Sequence, residues 1–163
     1  MFASDEQVDP LTLAGMPGSE FHRLWGADQA PTFPDEGRPT AQPMYFPPVG
    51  GYRFGLFTVP PAGLPAAAGL DPEAARAEME DKLPGLLGYM EPDEAGMHTT
   101  DTIDFEVVLS GEVILELDDG AQTVLRPGDT VVQNGTRHRW KNHGTEPALL
   151  AVFLIGARRA AGG

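Results

Sequence analysis

The chain contains no cysteine. Disulfides, thiolate metal sites and a cysteine nucleophile are therefore excluded. Basic residues are scarce, with 11 Lys and Arg against 24 Asp and Glu, for a formal charge of −13. That balance repels nucleic acids and anionic membranes, and its ordinary role is solubility. No apolar run approaches ~18 residues, so no membrane span is expected. The opening MFASDEQVDP is acidic and has no apolar stretch of the signal-peptide kind; a cytoplasmic location is the expectation. What is abundant is glycine and proline, 20 and 16 of 163 residues. This favours many short elements joined by tight turns over a helical bundle.

The length suits one domain. Residues 1–16 read as a flexible arm and residues 17–163 as a single domain. Phe21 to Trp25 and Tyr52 to Val59 have strand character. Residues 31–50 carry six prolines between them and read as an irregular, extended connection. One helix is predicted over residues 71–83. Asp71 suits the N-cap, Pro72 the first turn, Glu73 the positive end of the dipole, and Pro84-Gly85 the stop. Ala75, Met79 and Leu83 form an apolar stripe along it. It is either a packing element on the outside of the fold or a lid, since it leads towards the candidate site.

From residue 96 onward the pattern is strands and turns. Strands are predicted over Asp104 to Leu109, Glu112 to Leu117, Gln122 to Leu125, Thr130 to Gln133, Arg137 to Lys141 and Ala148 to Ile155. They are punctuated by Ser110-Gly111, Asp119-Gly120 and Pro127-Gly128-Asp129. Short strands at this spacing indicate a sandwich or barrel. The basic run Arg137-His138-Arg139-Trp140-Lys141 alternates, so its charges belong to a solvated strand face rather than to a nucleic-acid site.

Two segments carry chemistry. In an extended run from Gly96 to Glu106, alternate side chains share a face. His98, Thr100, Thr102, Asp104 and Glu106 then lie on one side, with Val108 beyond them; Ile103, Phe105 and Val107 lie on the other. A polar face of this kind suits a barrel interior that holds a ligand or metal. The apolar faces, with Phe105, Val107 and Leu109, are expected to carry the core. In the second segment His138, Trp140 and Asn142 share a face. A bulge could turn Glu106 outward as a surface acid. With strict alternation it lies beside Asp104, and two neighbouring carboxylates raise one another's pKa unless a cation neutralises them.

These residues resemble the motifs of the cupin superfamily. The first cupin motif places a Glu and a Gly with six residues between them, with His-x-His upstream. Counting back from Gly111 puts Asp104 at the Glu position, Thr100 at the second His and His98 at the first. Gly128, Gly135, His138 and Asn142 match the second motif, in which Gln133 replaces Pro and one residue is missing before it. The resemblance covers residues 96–156, and MHTTDTIDFEVVLSGE…LRPGDTVVQNGTRHRW looks like a small single-domain cupin-barrel subgroup.

The resemblance implies an all-β fold, a double-stranded β-helix or jelly-roll barrel with one short outer helix. Residues 17–60 would add N-terminal strands. It implies one divalent transition metal (Fe, Mn, Zn, Ni or Co) held by His98, Asp104 and His138, a two-His-one-carboxylate set that suits such ions. The alternative is a metal-free barrel in which Asp104 hydrogen-bonds a histidine. Glu106 would move a proton, and Thr100, Gln133 and Trp140 would shape the substrate pocket. The implied function is a metal-dependent enzyme acting on a small organic molecule by decarboxylase, isomerase, cyclase or dioxygenase-type chemistry. A non-catalytic module that binds or senses a small molecule is the alternative. A homodimer is expected, with residues 17–60 extending a sheet or crossing to the neighbour.

Overall fold

The computed structural model describes residues 8–34, 37, 40–65 and 68–160. Nine strands and one α-helix follow in the order β1 (Leu11–Thr12), β2 (Glu20–Ala27), β3 (Tyr52–Val59), α1 (Pro72–Lys82), β4 (Thr102–Ser110), β5 (Val113–Leu117), β6 (Gln122–Leu125), β7 (Thr130–Asn134), β8 (His138–Lys141) and β9 (Ala148–Gly156). They form a six-stranded sheet, β1-β2-β3-β9-β4-β7, and a three-stranded sheet, β6-β5-β8. All the named pairings are antiparallel. This is the all-β, double-stranded β-helix architecture the sequence leads one to expect. The N-terminal strands β2 and β3 join the larger sheet beside β9.

Local chemistry sets the boundaries. Asp71 caps α1 by accepting a 3.0 Å hydrogen bond from the Glu73 amide, and Pro72 occupies its first turn. Leu83 and Leu86, just past the helix, are buried with Leu13 and Phe21, and Met79 packs against them. Between β4 and β5 the chain reverses at Gly111, which has φ +74. A Cβ there would lie 2.6 Å from both the Ala148 Cα and the Pro147 oxygen, so only glycine fits the turn. The Asp119-Gly120 reversal is fastened by the Asp119 carboxylate, which accepts from the Ala121 amide at 2.9 Å.

The main core lies between the sheets, built from Val59, Val108, Val113, Leu115, Leu125, Ala148 and Leu150. One expectation is corrected here. Phe105, Val107 and Leu109 do not carry the core: they are 43 %, 37 % and 47 % exposed on the outside of β4. Strand alternation forces this, because the inner face of β4 is taken by Thr102, Asp104, Glu106 and Val108, all buried. Of the N-terminal arm, residues 1–7 lie outside the described residues. Leu11 and Thr12 pair with Phe21 and Glu20, and Leu13 is buried.

Candidate active site

The site is assembled from two stretches that are distant in sequence. His98 precedes β4 and His138 opens β8. Their backbones exchange two hydrogen bonds, each 2.9 Å from amide nitrogen to carbonyl oxygen. This reciprocal pair sets the imidazoles side by side, with ring centroids 4.3 Å apart. Each ring is oriented from behind. His98 Nδ1 lies 2.9 Å from the Gly96 oxygen, and His138 Nδ1 lies 2.8 Å from the Thr136 oxygen. With Nδ1 donating to a carbonyl, Nε2 keeps its lone pair, the form a metal or a proton acceptor requires. Burial lowers the pKa of His98. Burial, and then the neighbouring His98, push His138 down to about 4. Both rings are therefore neutral near pH 7.

β4 delivers the carboxylates. No bulge intervenes between Asp104 and Glu106, so both side chains face inward, 4 % and 6 % exposed. Asp104 Oδ1 and Glu106 Oε2 are buried without a hydrogen-bond partner. Burial raises the Asp104 pKa to about 6, against the opposing effect of the Thr102 hydroxyl. Burial, and then the Asp104 charge, raise Glu106 to about 8. Two buried carboxyl groups, each with one unpartnered oxygen, are costly, and polar groups in that state call for a cation, a proton or a ligand.

His98, Asp104, Glu106 and His138 all line one cavity of about 530 Å³, the size range of pockets for small organic ligands. Its remaining wall is mostly apolar, including Met16, Tyr45, Phe57, Leu86, Met90 and Trp140. Trp140 meets His138 edge-on, with ring centroids 5.9 Å apart. No residue of α1 lines the cavity; the helix packs beside it through Met79.

Two of the expected pocket residues lie elsewhere. Thr100 is buried, but it accepts a 2.7 Å hydrogen bond from the Thr102 hydroxyl, and its carbonyl accepts from Arg159. It lines a separate cleft with Asp101, Gly135 and Arg159. The physical reason is a bend at Asp101, before β4 begins, which breaks the alternation extrapolated from His98. Gln133 pairs with Asp104 across the β4–β7 ladder and is buried, with its Nε2 unpartnered, yet it does not line the cavity. Tyr45 is a site residue that sequence reasoning missed. Burial, opposed by Arg23, pushes its phenol pKa up, and the charges of Asp104 and Glu106 act in the same direction. It lies in the proline-rich connection, where no periodicity marks an inward-facing residue. Asn142, at a motif position, acts as a clamp. Its amide donates to the Val59 and Glu146 carbonyls at 3.0 and 2.8 Å, and its oxygen accepts from the Gly144 amide at 2.8 Å.

The donor set suits a divalent transition metal in chemistry: neutral imidazoles with free Nε2 lone pairs, and two carboxyl groups that each keep one buried oxygen without a hydrogen-bond partner. Its arrangement is looser. Among the described residues no group of three or more His, Asp or Glu stands close enough to hold an ion.

Residues 87–155 match the cupin domain family, and the protein contains a cupin domain. A phomopsin biosynthesis cluster protein of Diaporthe leptostromiformis is 51 % identical over 49 residues, 30 % of this chain and 26 % of that protein. A cupin-domain-containing oxidoreductase of Aspergillus ruber is 33 % identical over 73 residues, 43 % of this chain and 36 % of that protein. The chain thus matches only between about a quarter and two-fifths of such relatives' length. Among solved structures, the polyketide cyclase RemF of Streptomyces resistomycificus superposes with a TM-score of 0.52 at 13 % identity, covering 99 % of this chain and 87 % of that one. A predicted oxalate decarboxylase of Thermotoga maritima gives 0.51 at 14 %, covering 95 % and 98 %. These likenesses show the fold. No helix among the described residues is long and apolar enough to cross a membrane.

Proposed function

We propose that this protein is a metal-dependent cupin enzyme acting on a small, largely apolar organic molecule. The observation that supports it best is one apolar cavity lined by two neutral imidazoles and two buried carboxylates, each with an unpartnered oxygen. His98, His138 and Asp104 would hold the ion. When bound, a divalent metal supplies Lewis acidity, polarising a carbonyl, carboxylate or enolate oxygen. Every other task falls to side chains of the chain. Glu106, with its pKa near 8, keeps a proton near neutrality and can deliver it to, or recover it from, a substrate carbon or oxygen. The Tyr45 phenol stays protonated and offers a donor at the same wall. Trp140, Phe57 and Met90 exclude water and hold the apolar body of the substrate. Isomerisation, cyclisation, decarboxylation and oxygenation all use this division of labour. The relatives named as oxidoreductases and the cyclase and decarboxylase neighbours are compatible with it.

A ligand-binding cupin without turnover is the competing reading, favoured by the absence of a gathered three-ligand group among the described residues. The test is untargeted mass spectrometry of a small-molecule extract incubated with metal-loaded protein. Wild type should consume a compound that Glu106→Gln leaves intact. Retention of a compound without consumption by either protein would establish the competing reading.

A further inference from the structure

The ladder registers fix what stands beside each carboxyl on the inner face of β4. Asp104 lies between Leu154 of β9 and Gln133 of β7. Glu106 lies between Val152 of β9 and Val131 of β7. Three of these four neighbours are apolar, and Gln133 alone brings a hydrogen-bond donor. It is 3 % exposed, and its Nε2 is buried without a partner. Directly opposite, Asp104 Oδ1 is a buried acceptor without a partner. The Thr102 hydroxyl acts on the same carboxyl from two residues back along β4, yet Oδ1 keeps no donor.

Packing does not account for this glutamine. A methionine or leucine would fill the space beside Leu154, Asp104 and Val131 without an amide nitrogen in need of an acceptor. A buried amide that serves packing alone finds hydrogen bonds of its own, because an unpaired one costs folding free energy. Register decides which carboxyl the amide serves. Directly opposed residues of antiparallel strands have Cβ atoms ~4.5–5.5 Å apart, and diagonal ones stand ~7–8 Å apart. The shorter span suits a glutamine amide and a carboxyl oxygen, met directly or across one water. Asp104, not Glu106, is therefore the partner.

We propose that Gln133 is a positioning residue for Asp104: its amide donates to Oδ1, directly or through one bound water, and fixes the plane of the carboxyl. The role rests on the metal-dependent reading of the site, in which Asp104 is the one carboxylate among the ligands. A carboxylate offers about four lone-pair sites, so one held by Gln133 leaves others for an ion. The side chain is then already oriented when the ion arrives. Gln133 does not line the cavity, so it acts through Asp104 and not on the substrate.

Two measurements test this, one with an ion and one without. Gln133→Met keeps the volume and removes the donor. Titrated with Co2+ alone, it should bind ~10–100-fold more weakly than wild type. Leu154→Met repacks the other flank of Asp104 without changing a donor, and should shift Co2+ affinity by under about 3-fold. In metal-free protein, chemical denaturation should show that Gln133→Met lowers the folding equilibrium constant of wild type. In the Asp104→Ala background, where the amide has lost its acceptor, the same change should be neutral or stabilising. The two effects should differ by at least ~3-fold. Gln133→Leu repeats both comparisons should Gln133→Met not fold. A wild type that takes up no Co2+ yet shows this coupling would end the metal reading and leave the link between Gln133 and Asp104 standing. Equal Co2+ affinity in wild type and Gln133→Met would overturn the positioning role and leave the metal reading intact. Equal effects of Gln133→Met in the two backgrounds would overturn the link itself.

Discussion

Glu106 and His138 pull the pH dependence of stability in opposite directions. A carboxyl whose folded pKa is raised binds more protons folded than unfolded, so its contribution is lost as pH rises through the folded value. For Glu106 that window runs from ordinary carboxylate values to about 8. A histidine whose folded pKa is lowered contributes above its unfolded value and loses that contribution as pH falls. For His138 the window runs from 6.5 down to about 4. Between about 6.5 and 8 the carboxyl acts without opposition from the imidazole. Metal-free protein should lose about 2 kcal/mol of stability over that interval, at about 1.4 kcal/mol per pKa unit. Glu106→Gln should flatten the slope, and so should a bound divalent metal, whose charge keeps the carboxylate ionised. Thermal melts at pH 6.5 and 8 check both; equal slopes in wild type and Glu106→Gln would be the wrong outcome.

At the scale of the element, β4 holds two kinds of residue in alternation, and their substitutions should differ sharply. Val108 is 2 % exposed and in the core, whereas Val107 is 37 % exposed on the outer face. Val108→Ala should cost roughly 1–3 kcal/mol through lost burial and a cavity. Val107→Ala should cost under about 1 kcal/mol in a monomer, because it leaves no cavity. Chemical denaturation of the two variants distinguishes the faces. Asn142→Ala removes a buried amide that joins the end of β3 to the loop before β9, leaving the Val59 and Glu146 carbonyls and the Gly144 amide without it. Its expected cost is about 2–3 kcal/mol. A value near zero would mean that water replaces the amide without penalty.

Legibility in the sequence followed the range of the interactions. Strands β5, β6 and β7 were readable because Ser110-Gly111, Asp119-Gly120 and Pro127-Gly128-Asp129 bound them by local turn chemistry. The helix was readable from its cap and its prolines. The inward direction of Asp104 and Glu106 followed from period-2 alternation. The same alternation failed at Thr100, where a bend at Asp101 resets the phase before β4 starts. The apolar outer side of β4 was misread as core, because alternation tells which residues share a face but not which face is inside when one is polar and the other apolar. The insertion of β9 between β3 and β4, the seating of His98 against His138, and the arrival of Tyr45 at the wall are contacts between distant segments, which no local pattern encodes.

For the whole molecule, the inner face of β4 in the larger sheet supplies the carboxylates of the site, while Phe105, Val107 and Leu109 of the same strand lie on its outer face. The central claim concerns the inner face, and metal content tests it most directly. Wild-type protein purified without added metal, then offered Fe, Mn, Zn, Ni and Co in turn, should retain close to one transition-metal ion per chain by elemental analysis. Asp104→Ala and His138→Ala should retain little while remaining folded, because the core rests on Val59, Val108, Val113, Leu115 and Leu150 rather than on the site. Metal-free wild type under all five conditions, or metal content equal in wild type and both variants, would contradict the account.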